Sequence, residues 1–210
     1  MALTRLGLNQ AINLTSNTTG TLGVANGGTG LTSGTTDQFL KFTGTTTVAS
    51  AAVETGATEV DQWMVTSQFT ASGNTHVQNN WTRRSAAHGF NKIGTGVSES
   101  SGTFSFPSTG IYEITWSVFA YWNQQSTYVG AHIYSSENNF SSQIEAAQSY
   151  TNSFNTNNHI GAFCKYLFDV EDVSTHKVRF YCESQNNTDF KADSNAGRMM
   201  ATFIRLGDTP

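Results

Sequence analysis

Ile111-Tyr112-Glu113-Ile114-Thr115-Trp116-Ser117-Val118-Phe119-Ala120 is the stretch that decides the fold class. Tyr112, Ile114, Trp116, Val118 and Ala120 share one phase, while Glu113, Thr115 and Ser117 take the other. Side chains alternate across a strand, so this period of two describes a strand with one face on a core. The same period recurs on both sides. Val129, Ala131 and Ile133 alternate with Tyr128, Gly130, His132 and Tyr134, and Met200, Thr202, Ile204 and Leu206 oppose Ala201, Phe203 and Arg205. No twelve-residue stretch carries a helical stripe. Residues 142–149 (SQIEAAQS) are the best short helical candidate, and they read equally well as a strand edge.

Strands separated by Gly/Asn/Ser turns at short, even spacing predict an all-β sandwich or jelly roll. One hairpin is predicted in detail. Cys164, Tyr166, Phe168 and Val170 share a phase, Glu171–Thr175 is turn-like, and Val178, Phe180 and Cys182 share a phase on the return. A turn centred on Val173 places Phe168 opposite Val178, Tyr166 opposite Phe180 and Cys164 opposite Cys182. Two cysteines are too few for a disulfide framework, and in a reducing cytoplasm they are expected as buried free thiols.

Outward from these strands the chain changes material. Residues 1–60 hold fifteen Thr and nine Gly but only two aromatics, Phe39 and Phe42; residues 61–210 hold every Trp and Tyr and the other twelve Phe. The reading is a core-poor stalk (15–60) leading into a core-rich head (61–210). In the stalk, Leu22, Val24, Leu31, Phe39, Leu40, Phe42 and Val48 are spaced apolar residues that a Gly/Ser/Thr linker would lack. A lone hairpin is marginal in water. The expectation is therefore that three parallel chains share Leu22, Val24, Leu31, Phe39 and Phe42, with Gly27 and Gly28 permitting close approach of the backbones. Residues 1–14 carry Leu3, Leu6, Leu8, Ile12 and Leu14 at a spacing that fits neither helix nor strand. They read as an anchor peptide that orders against a partner, with a frayed terminus as the alternative.

Composition excludes several functions. Only 12% of residues are charged and the net charge is −4, whereas nucleic-acid binding needs clustered Lys and Arg. The sole adjacent basic pair, Arg83-Arg84, reads as a loop cap or an ion-pair partner. No run reaches the ~18 apolar residues of a membrane span, and the early leucines are interrupted too often for a signal peptide. The expectation is a chain made in a cytoplasm, with no nucleic-acid partner and no membrane insertion.

The segment Val24-Ala25-Asn26-Gly27-Gly28-Thr29-Gly30, followed by Gly34–Leu40 with its Gln38-Phe39-Leu40, resembles the stalks of bacteriophage tail fibres and spikes. The opening fourteen residues are similar to N-termini of virion proteins from marine and cyanobacterial phages. Gly102-Thr103-Phe104-Ser105-Phe106-Pro107-Ser108-Thr109-Gly110-Ile111-Tyr112 and the closing Ala201–Leu206 resemble the C1q/tumour-necrosis-factor type of jelly roll, over roughly residues 60–208. Phe106 directly preceding Pro107 departs from that pattern. The resemblance implies ten short strands in two sheets and a homotrimer; it implies no ligand.

Residue chemistry adds little. His76, His88, His132, His159 and His176 are scattered and read as loop or surface residues, with His132 or His159 the candidates for a metal on a threefold axis. Asp169, Glu171 and Asp172 read as a solvated turn. A glycosidase needs two facing carboxylates, and Glu137, Glu145 and Glu183 have no evident partner. The expectation is no enzyme, no cofactor and no metal. Tyr121-Trp122-Asn123-Gln124 and Tyr150 with Phe154 combine flat apolar faces with amides, a combination that suits sugar or protein recognition and equally subunit packing. Trp81 and Trp116 read as core. Together these expectations describe a trimeric virion fibre or spike that binds other virion proteins (tail, baseplate or capsid) through its N-terminus. Its head would meet a host-surface glycan or protein, with a capsid decoration or cement protein as the alternative.

Overall fold

The computed structural model describes residues 29, 31, 34–45, 47–52, 56–122, 128–152 and 158–210. It forms two compact units, Met1–Thr55 and Gly56–Pro210. The described part of the first is a hairpin of β1 (Phe39–Gly44) and β2 (Thr47–Ala51), with Phe42 opposite Val48 and Leu40 opposite Ser50. The large apolar side chains of β1 stay in water: Phe42 is 69% exposed, and Phe39 and Leu40 are also exposed, whereas Val48 of β2 is half-buried. Gly44 lets the strands close where a Cβ would meet the Thr47 hydroxyl at 2.8 Å.

The second unit contains β3 (Val60–Val65), β4 (Phe69–His76), β5 (Trp81–Arg83), β6 (Ser98–Ser100), β7 (Thr103–Ser105), β8 (Gly110–Trp122), β9 (Tyr128–Ser136), β10 (Ile144–Asn152), β11 (Asn158–Val170), β12 (Lys177–Phe190) and β13 (Met200–Gly207). These eleven strands replace the ten expected. A 3₁₀ turn at Ala86–His88 follows β5, and the described residues include no α-helix. One layer runs β11-β8-β13-β3-β5; the other runs β10-β9-β12, with β4 and β7 on the far side of β12 and β6 beyond β7. All the named pairings are antiparallel. The layers touch at one corner, where Asp189 and Phe190 of β12 pair with Tyr121 and Ala120 of β8. Residues 144–152 are an edge strand, so the strand reading of that segment holds and the helical one does not.

The alternation that defines β8 predicts the core. Tyr112, Ile114, Trp116, Val118 and Ala120 are buried, as are Val129, Ala131 and Ile133 facing them from β9. Between the layers the rings interlock: Trp81 meets Phe104 edge-on at 5.0 Å, Trp116 lies 5.1 Å from Phe180, and Phe104 lies 5.2 Å from Phe180. Such pairs add about 0.5–1.5 kcal/mol each beyond area burial. Polar tips are satisfied: the Trp116 indole donates to the Tyr181 carbonyl (2.8 Å), and the Tyr112 hydroxyl donates to the Ser108 carbonyl (3.1 Å). Arg83 is the ion-pair partner of buried Asp61 (2.9 Å), which also accepts from the Trp63 indole and the Val97 amide.

The hairpin predicted around Val173 is not formed. β11 pairs with β8, placing Cys164 opposite Trp116, whereas β12 pairs with β9 and β4, placing Cys182 opposite Ala131 and Thr75. The segment between them carries the chain from one layer to the other. The Asp172 carbonyl accepts from the Thr175 and His176 amides, and the Asp172 carboxylate accepts from the Ser174 amide (2.8 Å). The inward phase was read correctly, since Cys164, Phe168, Val170, Val178, Phe180 and Cys182 are all buried. Two strands in opposite layers of one core show the same alternation as two strands side by side. Both thiols are free.

Candidate functional site

The recognition residues expected from sequence flank four strand ends. Trp122, the last residue of β8, pairs with Asn158, the first of β11; Tyr128, the first of β9, pairs with Asn152, the last of β10. Asn123, Gln124 and Phe154 lie outside the described residues, as do Leu3, Leu6, Leu8, Ile12, Leu14, Leu22, Val24, Gly27 and Gly28. Leu31 is half-buried. Beside the loop bases, Tyr121 carries the Lys191 ammonium 5.5 Å over its ring and contacts the His159 ring at 5.1 Å, while His159 stacks on Phe119 at 5.3 Å.

Tyr150 belongs to a different surface, the outer face of β10-β9-β12. Tyr128 and Tyr150 each donate a hydroxyl to one oxygen of Glu183, at 2.8 and 2.9 Å. That carboxylate raises the pKa of Tyr128 above the ordinary phenol value, with burial adding to it. At Tyr150 burial comes first and the Glu183 contact second, both in the same direction. His132 is 1% exposed and sits between two carboxylates, its Nδ1 against Glu145 and its Nε2 3.2 Å from Glu183. Nδ1 makes its hydrogen bond to Glu145, while the buried Nε2 makes none. Gly130 makes room: a Cβ there would lie 2.6 Å from His132 Nε2 and 2.7 Å from the Tyr150 ring. The sequence reading of His132 as a loop or surface residue is corrected, since it is buried on β9, whereas His176 lies in the connection between β11 and β12 and is buried there. Glu145 and Glu183, which seemed unpartnered, meet through His132. These contacts are diagonal across three strands, so spacing along one strand does not reveal them.

The opposite outer face, on β11-β8-β13-β3, is built differently. One row runs Leu167–Glu113–Ile204–Val60 and a parallel row Phe163–Ser117–Met200–Met64. Phe163 and Leu167 are 57% and 56% exposed and Leu206 is 58% exposed, flanked by one ion pair, Lys165 with Glu113 at 3.1 Å. Sequence reading missed this surface. The signal was present in β11, where both phases are apolar: Phe163 and Leu167 on one, Cys164, Tyr166 and Phe168 on the other.

No family model matches the chain, and no curated protein does. Solved structures match the head's fold. The Eiger TNF of S. frugiperda aligns with a TM-score of 0.57 and 7% identity, over 74% of this chain and 96% of that one. Murine APRIL aligns with a TM-score of 0.50 and 12% identity, over 70% of this chain and 98% of that one. Identities this low speak to fold alone. The head is an all-β jelly roll of the tumour-necrosis-factor type.

Proposed function

We propose that the chain is a homotrimeric virion fibre or short spike of a bacteriophage. It attaches through its N-terminal segment and presents the jelly-roll head for adhesion to a host surface. The observation that carries the trimer is the exposed apolar surface of β11 and β13, Phe163, Leu167 and Leu206, on a sheet face whose other residues are mostly uncharged. Large apolar side chains left exposed on one sheet face mark an interaction surface. The exposed Phe39, Leu40 and Phe42 of the β1–β2 hairpin support the same reading, because two strands alone bury too little to be stable. Three identical heads would turn weak contacts into avid ones. The virion setting rests on the resemblance of residues 20–50 to phage stalks.

The experiment is imaging of labelled chain on intact particles. Label at the tail, lost when residues 1–14 are deleted while the trimer still folds, is the expected result. Label spread over the capsid, or full occupancy after the deletion, would overturn it.

A further inference from the structure

The head contains a cavity of about 200 Å³ between β4 and the connection that follows it, lined by Phe69, Thr75, His76, Val77 and three consecutive amides, Gln78, Asn79 and Asn80. Its frame is fixed by backbone contacts. The Asn80 carbonyl accepts from the Thr66 amide (2.9 Å) and hydroxyl (3.0 Å), the Val77 amide donates to the Phe180 carbonyl (3.0 Å), and the Trp81 indole donates to the Val77 carbonyl (2.8 Å). Asn80 holds φ at 66°, a left-handed conformation that Asn tolerates better than most residues. On this frame the side-chain amides of Gln78, Asn79 and Asn80 are exposed and make no hydrogen bond to the described residues.

The rest of the lining is uncharged. His76 Nε2 lies 3.2 Å from the Gly102 carbonyl, which only accepts, so the ring proton sits on Nε2 and Nδ1 is an acceptor. Burial, the largest cause, lowers the pKa of His76 below the ordinary imidazole value and keeps the ring neutral at neutral pH. Phe69 is half-buried and backed by Phe190, stacked at 5.4 Å.

These groups select among ligand classes. A phosphate or nucleotide would find no Lys or Arg in the lining. A purely apolar ligand would cover amides without pairing them, at a cost of about 1–3 kcal/mol per buried group. Drug-sized molecules need about 300 Å³ or more. A single sugar ring fits the remainder: its C–H face packs on an aromatic ring, and its hydroxyls both donate to and accept from carboxamides. Because the backbone is already tied down, binding orders only the side chains.

We infer that Phe69, His76, Gln78, Asn79 and Asn80 form a binding site for one neutral monosaccharide unit of a glycan. Its biological setting rests on the adhesion reading; its chemistry does not.

The test is an NMR titration of the full chain with methyl glycosides of glucose, galactose, mannose and N-acetylglucosamine. At least one should shift the side-chain amide signals of Gln78, Asn79 and Asn80 and saturate with a Kd of about 1–10 mM, ordinary for a lone sugar contact. The triple variant Gln78→Ala/Asn79→Ala/Asn80→Gly keeps the left-handed turn, because glycine accepts it. It should leave the backbone spectrum folded and weaken binding at least about tenfold. The site is overturned if none of the four glycosides shifts those amides at about 50 mM, or if the folded triple variant binds as tightly as the parent. Cell adhesion measured in parallel separates the two readings. Sugar binding in the cavity without adhesion by the parent chain overturns the adhesive function and leaves the site standing. Adhesion undiminished in the triple variant overturns the cavity as the adhesive contact.

Discussion

The two outward faces of the head end in opposite ways. On β10-β9-β12 the outward polar groups gather within the chain: two tyrosines donate to Glu183, and His132 lies between Glu183 and Glu145. On β11-β8-β13 the chain leaves Phe163, Leu167 and Leu206 in water. Both faces come from strands of the same alternating pattern, so alternation alone does not distinguish them. What distinguishes them is chemistry at the outward positions: hydroxyl, carboxylate and imidazole groups can satisfy one another, and aliphatic and phenyl groups can be satisfied only by another surface. The first face is closed and the second is open to a second copy.

The largest effect expected from this contrast follows charge placed on the open face. Phe163→Glu with Leu167→Glu should dissociate the trimer at micromolar concentration while the far-UV spectrum stays that of a folded β protein. The matching insult on the closed face has a different outcome. Glu183→Ala strands two tyrosine hydroxyls and His132, so urea unfolding should report a loss of about 1–3 kcal/mol with the oligomeric state unchanged. A dissociated Glu183→Ala, or a trimeric Phe163→Glu/Leu167→Glu, would erase the distinction.

A smaller effect should appear with alkali. The raised pKa values of Tyr128 and Tyr150 mean that the folded chain keeps protons that the unfolded chain releases near pH 10. Stability from this pair is therefore complete below about pH 10 and declines as the pH rises beyond it. Tyr128→Phe with Tyr150→Phe should flatten that decline in a series of thermal melts, and an unchanged slope would argue against the pair. The smallest effect concerns the thiols. Burial pushes Cys164 up to about 12 and Cys182 higher still, so neither should react with an alkylating reagent at pH 8 until the chain unfolds. Fast labelling of the native protein would mean that the core opens.

Much of the fold was legible because burial imposes its period directly on the sequence. The run Tyr112–Ala120 named its own inward residues, and Val129–Ile133 named theirs. Partner strands were less legible. Cys164–Val170 and Val178–Cys182 carry matching phases, yet one pairs with β8 in the first layer and the other with β9 in the second, in place of pairing with each other. A turn of five residues is long enough for either arrangement, and nothing local selects between them. The candidate surfaces were legible only in part. Tyr150 stands out in the sequence as an aromatic beside an amide-rich stretch, but its partner Glu183 lies on another strand, as does the Glu145 that meets His132. The cavity at Gln78–Asn80 was invisible because its shape depends on Thr66 and Phe180 holding the connection in place.

The central claim is that the open face is covered by two further copies of the same chain. Light scattering of the purified full-length protein across micromolar concentrations tests it most directly. The account predicts three times the chain mass of 22.8 kDa, falling to a single chain mass in Phe163→Glu/Leu167→Glu. A parent protein that stays at one chain mass throughout that range would contradict it.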